Sequence, residues 1–338
     1  MNRKKLLWQL PFLTLLVVGT VLIIRQQQSL PYHQNTGMVF GTTYHITYQC
    51  DSDLHQGIRD ELQKVDNSLS PFNEKSIITA INQNQDVVLN EMFLDVYGRA
   101  MEISRETDGA FDITVAPLVN AWGFGFKNGS QPSRHQVDSL LRLVGYQKLS
   151  LVDGKVHKKD HRMMLDCSAI AKGYGSDVVA RFLESRGVKN YMVEIGGEIV
   201  SSGVNAQRLP WKIGVTKPTD DSLSAKGEIQ SVLNVTDQAM ATSGNYRNFY
   251  YKGGKKYAHT IDPKTGYPVQ HSLLSATVLA KDCATADAYA TSFMVLGIEK
   301  AKDILAKHPE LMAYFIYSDS TGHNAVWFSP SLKDKVEE

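Results

Sequence analysis

Residues 163–202 read MMLDCSAIAKGYGSDVVARFLESRGVKNYMVEIGGEIVSS, and the local pattern changes several times along them. Met163 to Cys167 has strand character, and Ala169 to Ser185 reads as a helix. Tyr191 to Ile195 is a strand that runs into Gly196-Gly197, and Ile199 to Ser202 resumes it beyond the glycine pair. On the N-terminal side, Thr43 to Gln49 is β-rich. Leu54 to Leu69 carries Ile58, Leu62, Val65 and Leu69 on one helical stripe. Met92 to Ser104 is a further helix by the same test, stopped by Gly109. Residues 123–133 are rich in Gly, Asn and Ser and read as a loop. On the C-terminal side, strands are expected at Trp211–Val215, Ile229–Val235, Phe249–Tyr251, Tyr257–Ile261 and Leu274–Leu279. The helix Ala284–Leu296, a helix near Lys300–Ala306 and strands near 312–317 and 323–327 follow. Runs of strands broken by a few helices predict an α+β fold, not a regular doubly wound sheet.

The bulk properties fit a folded body. Of the 338 residues, 43% are hydrophobic and 21% charged, and the formal net charge is +1. A nucleic-acid binder carries a basic excess that is absent here. Four of the 36 basic residues, Arg3, Lys4, Lys5 and Arg25, lie within residues 1–28 with no acid, so the remainder holds 32 basic residues against 35 acidic ones. The three cysteines, Cys50, Cys167 and Cys283, are far apart and form no C-x-x-C motif, which gives no metal or redox signature. Arg3, Lys4 and Lys5 precede an apolar run from Leu6 to Ile24. That run approaches bilayer-spanning length, and the basic cluster in front of it should stay cytoplasmic. The expectation is an uncleaved signal anchor at 1–28, a linker at 29–37, one catalytic domain at 38–330 and a polar tail at 331–338. That arrangement puts the domain in the periplasm, held to the bacterial inner membrane.

Several segments are too rich in Gly and polar residues for ordinary core. They are Gly109-Ala110-Phe111-Asp112 with Trp122-Gly123-Phe124-Gly125, Asp166 to Tyr174, Glu194-Ile195-Gly196-Gly197-Glu198, Ala241 to Tyr246, His259 to Gly266, and Ala284 to Thr291. Taken singly, Gly196-Gly197 could be a strand bulge and Asp262 to Gly266 a plain turn. Taken in order, together with Met38-Val39-Phe40-Gly41-Thr42, they resemble the ApbE family of flavin transferases from about Met38 to about Gly297.

The resemblance implies an ApbE-like, T-fold-like α+β architecture with FAD in a cleft between two halves. It implies that FMN passes from FAD to a threonine of another protein, releasing AMP, with Mg²⁺ as cofactor. The implied acceptors are subunits of sodium-pumping NADH–quinone reductase or Rnf-type complexes. By family position, Met38, Phe72, Ala110, Phe111, Asp112, Asp166, Lys172 and Ile261 would contact FAD. Asp287, Thr291 and the Ala169 carbonyl would hold the metal. The residues suit those tasks. Asp287 and Thr291 are four apart, so a helix puts both oxygen donors on one face, and Mg²⁺ takes few protein ligands. A lysine near a helix N-terminus suits a diphosphate. His259 is the candidate general base, because a threonine hydroxyl needs help to lose its proton and imidazole titrates near neutrality. The family's usual lipidation cysteine is missing, and so is its acceptor motif, so the chain should modify a partner. Alternatives are a Mg²⁺-dependent FAD pyrophosphatase, in which water replaces threonine, and a periplasmic FAD-binding protein without turnover.

Overall fold

The computed structural model describes residues 11–21, 30–125, 131–218, 228–245, 249–252 and 255–337. Residues 11–21 form helix α1. The rest of the anchor expected at 1–28 lies outside the described residues, and among those described no helix is long and apolar enough to cross a membrane. Along the chain follow β1 (Tyr32–Val39), β2 (Thr42–Gln49), α2 (His55–Leu69), α3 (Ile77–Asn82), α4 (Glu91–Glu106), α5 (Ala116–Ala121) and α6 (Arg134–Leu141). Next come β3 (Leu149–Val152), β4 (Lys155–Lys158), α7 (Ala171–Ser185), β5 (Tyr191–Ile195), β6 (Glu198–Ser202), β7 (Lys212–Thr216) and β8 (Ile229–Asn234). The chain continues through β9 (Gln238–Gly244), β10 (Phe249–Lys252), β11 (Lys255–Ala258), β12 (Leu273–Ala280), α8 (Cys283–Leu296) and α9 (Ile298–Leu305). It closes with β13 (Met312–Ser318), β14 (Asn324–Phe328) and β15 (Val336–Glu337).

Alternation along the strands builds a layered body, the α+β arrangement expected. Eight antiparallel strands pair in the order β1-β2-β5-β6-β9-β12-β13-β14. Successive side chains point to opposite faces. Ala239 and Ala241 of β9, Val278 and Ala280 of β12, and Ala313 and Phe315 of β13 join the core beneath α8. Their neighbours Met240, Leu279, Tyr314 and Ile316 pack the other way, against Trp211, Leu233 and Leu332 beside the small sheet β15-β8-β7. Tyr44, Ile46 and Tyr48 of β2 meet Ile58 and Leu62 of α2 and Val179 and Leu183 of α7.

Four expectations about local structure change. Residues 32–37 of the expected linker belong to β1, where buried Asn35 accepts from the Tyr48 hydroxyl at 2.9 Å. An edge strand with one wet face has the polar alternation of a tether. The tail is not free either: Leu332 is fully buried, and Val336 pairs with Leu233 of β8. Met163 to Cys167 forms no strand. The Asn82 side chain takes both the N–H and the C=O of Leu165, at 2.7 and 2.9 Å, and Asp166 N–H donates to Ile113 O at 2.7 Å. A side chain and a loop thus fill the positions that a neighbouring strand would occupy. Gly196-Gly197 is neither a bulge nor a pause within one strand. Ile195 pairs with Glu198, so the glycines are the two central residues of a hairpin, and both have positive φ (65° and 105°).

Two helices position the cleft. The α7 N-terminus has no capping side chain of its own, and Asp287 Oδ2 of α8 accepts from Gly173 N–H at 3.2 Å. In return Asp177 of α7 accepts from Cys283 and Ala284 N–H of α8, at 2.8 and 2.9 Å. Asp282 takes the Thr285 amide, and its backbone carbonyl takes that of Ala286. The first three amides of α8 thus have side-chain acceptors, and the Ala286 amide makes the first bond within the helix. The helices approach so closely that a Cβ on Gly173 would lie 2.3 Å from Cys283 O.

Burial pushes the Asp177 carboxyl up to about 7, although the two amides pull it down. A native pKa raised above the unfolded value of 3.8 favours the fold fully below that value, and the benefit is lost as pH rises towards 7. Urea denaturation of wild type and Asp177→Asn across pH 4–7.5 should therefore show wild type gaining stability on the variant as pH falls. A constant difference would place the group's native pKa at its unfolded value.

Candidate active site

A cavity of about 390 Å³ opens where the α7 and α8 N-termini, the β5–β6 hairpin, the end of β9 and the loops 109–125 and 259–263 converge. That volume lies within the range of small-molecule sites. Its lining includes Phe72, Ala110, Phe111, Asp112, Asp166, Ala169, Lys172, His259, Ile261, Asp287 and Thr291. Every residue singled out in the sequence is therefore in one place except Met38. Met38 pairs with Thr43 at the sheet edge and is 71% exposed, and it does not line the cavity. The β1–β2 turn directs inward the neighbouring Phe40, which packs on the core.

One end of the cleft is apolar. Phe72, exposed at the mouth, faces it with Ala110, Phe111, Val115, Val119 and Phe124. The loop beneath is held by Asp112, whose oxygens are occupied within the protein. Oδ1 accepts from Thr114 N–H and Oγ1, at 2.8 and 2.6 Å, and Oδ2 accepts from Tyr146 N–H at 2.7 Å. Burial raises its pKa, and these donors oppose the rise. His259 follows β11, and Phe124 meets its ring edge-on with centroids 6.4 Å apart. Ile261 lies in the cluster of Leu118, Trp122, Val137 and Val144 under the same loop, where Trp122 Nε1 donates to Gly266 O at 2.8 Å. That bond anchors the Asp262–Gly266 turn.

The other end is charged. Lys172 Nζ lies 3.1 Å from Glu198 Oε1 and 3.7 Å from Asp287 Oδ2, and both carboxylates are buried. Burial pushes both acids up while Lys172 pulls them down. Burial also works against the lysine's charge, but Asp287 and Glu198 outweigh it and hold its pKa above the ordinary range. Thr291, one turn beyond Asp287, shares a hydrogen bond with Ser243 Oγ at 3.0 Å. Asp166 Oδ1 accepts from Ser168 N–H at 2.7 Å, fixing the turn that presents Ala169. The sequence reading assigned no task to Glu198 or Asp177. An acid on the inward face of β6, and another amid Tyr174, Val178 and Val179 on α7, were the available signals.

These features define a class: an antiparallel α+β protein with a nucleotide-sized cleft, aromatic at its mouth and charged at its inner end. A model of the ApbE family matches residues 40–315, and the chain belongs to that family. It is 38% identical over 304 residues to an FAD:protein FMN transferase of Haemophilus influenzae, covering 85% of this chain and 87% of that protein. It is 35% identical over 291 residues to the enzyme of the same name from Escherichia coli K12, covering 83% and 81%. The structure of the flavin transferase ApbE from Vibrio cholerae superimposes with a TM-score of 0.81 at 32% identity, covering 90% of this chain and 99% of that one.

The Asp112 network yields a stability prediction. Asp112→Ala leaves two amides and a hydroxyl without acceptors, which should cost roughly 3 kcal/mol. Urea unfolding would show this as a lower midpoint, and an unchanged midpoint would mean that the loop does not depend on the carboxylate.

Proposed function

We propose that this chain is an FAD:protein FMN transferase that moves FMN from FAD to a threonine hydroxyl of a partner protein and releases AMP. One observation carries the reading. A single cleft gathers residues from Phe72 to Thr291 along the chain, in a protein whose relatives bear that name.

The apolar end suits the flavin ring, with Phe72 and Phe111 as apolar walls. Lys172 and the α7 N-terminus suit the diphosphate. Asp287, Thr291 and the Ala169 carbonyl would hold Mg²⁺. Among the described residues no three His, Cys, Asp or Glu side chains are grouped to hold a metal. The ion would therefore rest on one carboxylate, one hydroxyl and one carbonyl, a hard-oxygen set that suits an ion keeping water and phosphate as its other ligands. Bound there, it would neutralise charge on the diphosphate. His259 takes the proton of the threonine hydroxyl. The threonine oxygen bonds to the phosphorus on the FMN side, the bond from that phosphorus to the bridging oxygen breaks, and AMP leaves with that oxygen.

The acceptors proposed from the family resemblance are subunits of sodium-pumping NADH–quinone reductase or Rnf-type complexes. Arg3, Lys4 and Lys5 ahead of the apolar run support an inner-membrane anchor with the catalytic domain in the periplasm.

Incubation of the full chain with FAD, Mg²⁺ and an acceptor segment should add one FMN to a threonine, read by intact mass and peptide mapping. Free FMN without an adduct would instead mark a pyrophosphatase, and no product at all an FAD-binding protein. Asp287→Ala should abolish transfer while FAD still binds, and Thr291→Val should be milder because it removes a neutral ligand. His259→Ala should slow single-turnover transfer roughly a hundred-fold with little change in FAD affinity. Unchanged turnover would remove His259 from the reaction.

A further inference from the structure

Glu198 is a charged group at the inner end of the cleft that the reaction above does not use. It opens β6, is 4% exposed and lines the cavity. Its Oε1 holds the Lys172 ammonium at 3.1 Å, while its Oε2 is buried without a hydrogen-bond partner. The same ammonium stands 3.7 Å from Asp287 Oδ2. The lysine is thus shared unequally and sits nearer Glu198.

The surroundings fix the Asp287 carboxylate and the Glu198 backbone, whereas the Glu198 carboxylate has Lys172 as its partner. Asp287 is tied to Gly173 N–H, and the first residue of β6 is tied to α7 through the Ser176 hydroxyl, which donates to Glu198 O at 3.0 Å. The hairpin glycines Gly196 and Gly197 bring Glu198 to the start of β6, across from the first turn of α7. Lys172 reaches both acids on a flexible four-carbon stem. An ammonium resting on Asp287 would compete with a metal ion for that carboxylate.

We propose that Glu198 is a positioning residue that draws the Lys172 ammonium towards itself, keeps it from closing to less than 3.7 Å from Asp287, and so leaves that carboxylate open to the divalent cation. The inference rests on the magnesium reading given above. Removing or withdrawing Glu198 lets the lysine move onto Asp287.

The test is calorimetric titration of Mg²⁺ into the full chain without FAD, so that the Lys172 ammonium has no diphosphate to engage and pairs only with the two acids. Glu198→Asp keeps the charge but pulls the carboxylate back by one methylene. It should weaken Mg²⁺ binding roughly tenfold, as a lysine newly paired with the ligating acid would. Glu198→Gln should do the same. Adding Lys172→Met should restore binding in either Glu198 variant while changing it far less beside intact Glu198. That non-additivity separates positioning from a simple change in net charge. Wild-type affinity in Glu198→Asp, or an equal effect of Lys172→Met in every background, would overturn the proposal. Unfolding of both Glu198 variants, seen by circular dichroism, would make the residue structural and also overturn it. Asp287→Ala serves as the control. If it binds Mg²⁺ like wild type, the magnesium reading itself falls.

Discussion

Asp287, carried by α8, accepts from the third amide of α7, and Asp177, carried by α7, accepts from the first two amides of α8. Carboxylates at helix N-termini are favoured by both the exposed amides and the helix dipole. Here each helix supplies a carboxylate acceptor to amides of the other, alongside α8's own N-cap Asp282, so neither end is complete alone. Gly173 makes the approach possible, because any side chain there would run into the Cys283 carbonyl. The crossing brings Lys172 of one helix to Asp287 of the other. The hairpin carrying Glu198, the strand ending in Ser243 and Gly244, and the two loops of the cleft are arranged around that pair.

The arrangement carries an electrostatic cost. Two buried carboxylates share one lysine, and Glu198 Oε2 has no partner. Burying charge is unfavourable unless each group is paired. Asp112 shows the settled alternative in the same cleft, with both oxygens taken up by protein donors. One wall is complete as folded and supports a loop. The other is left for a ligand to complete, which is how polar groups at functional sites commonly differ from those in a core.

The sequence disclosed the fold where alternation and helical stripes were strong. The stripe from Ile58 to Leu69, the helix Ala284–Leu296 and the strands around residues 274–279 and 312–317 all recur in the structure. It misled where one face of a strand is wet, as in β1, and where side chains replace a ladder, as Asn82 does at Leu165. The cleft was legible because its residues come as short, unusual motifs that survive without three-dimensional context. Met38 belonged to such a motif, yet the β1–β2 turn leaves it on the outer edge. Glu198 stood in plain view beside Gly196-Gly197. Its task depends on Lys172, 26 positions earlier in the chain, and no local pattern joins the two.

The order in which the chain supplies this architecture also bears on its folding. β2 waits for β5, β6 for β9, and the first turn of α7 for α8 more than a hundred residues downstream. β8 gains its last partner only at Val336. Contacts this distant along the chain form slowly. A chain that has not yet added α8 has Lys172 and Glu198 but neither Asp287 nor Thr291, and its Gly173 amide lacks the Asp287 acceptor. A molecule held between the two helices therefore engages only chains in which α8 has docked and pulls the folding equilibrium towards them by mass action. Occupancy of the cleft thus reports that the chain has been made and folded at least through α8.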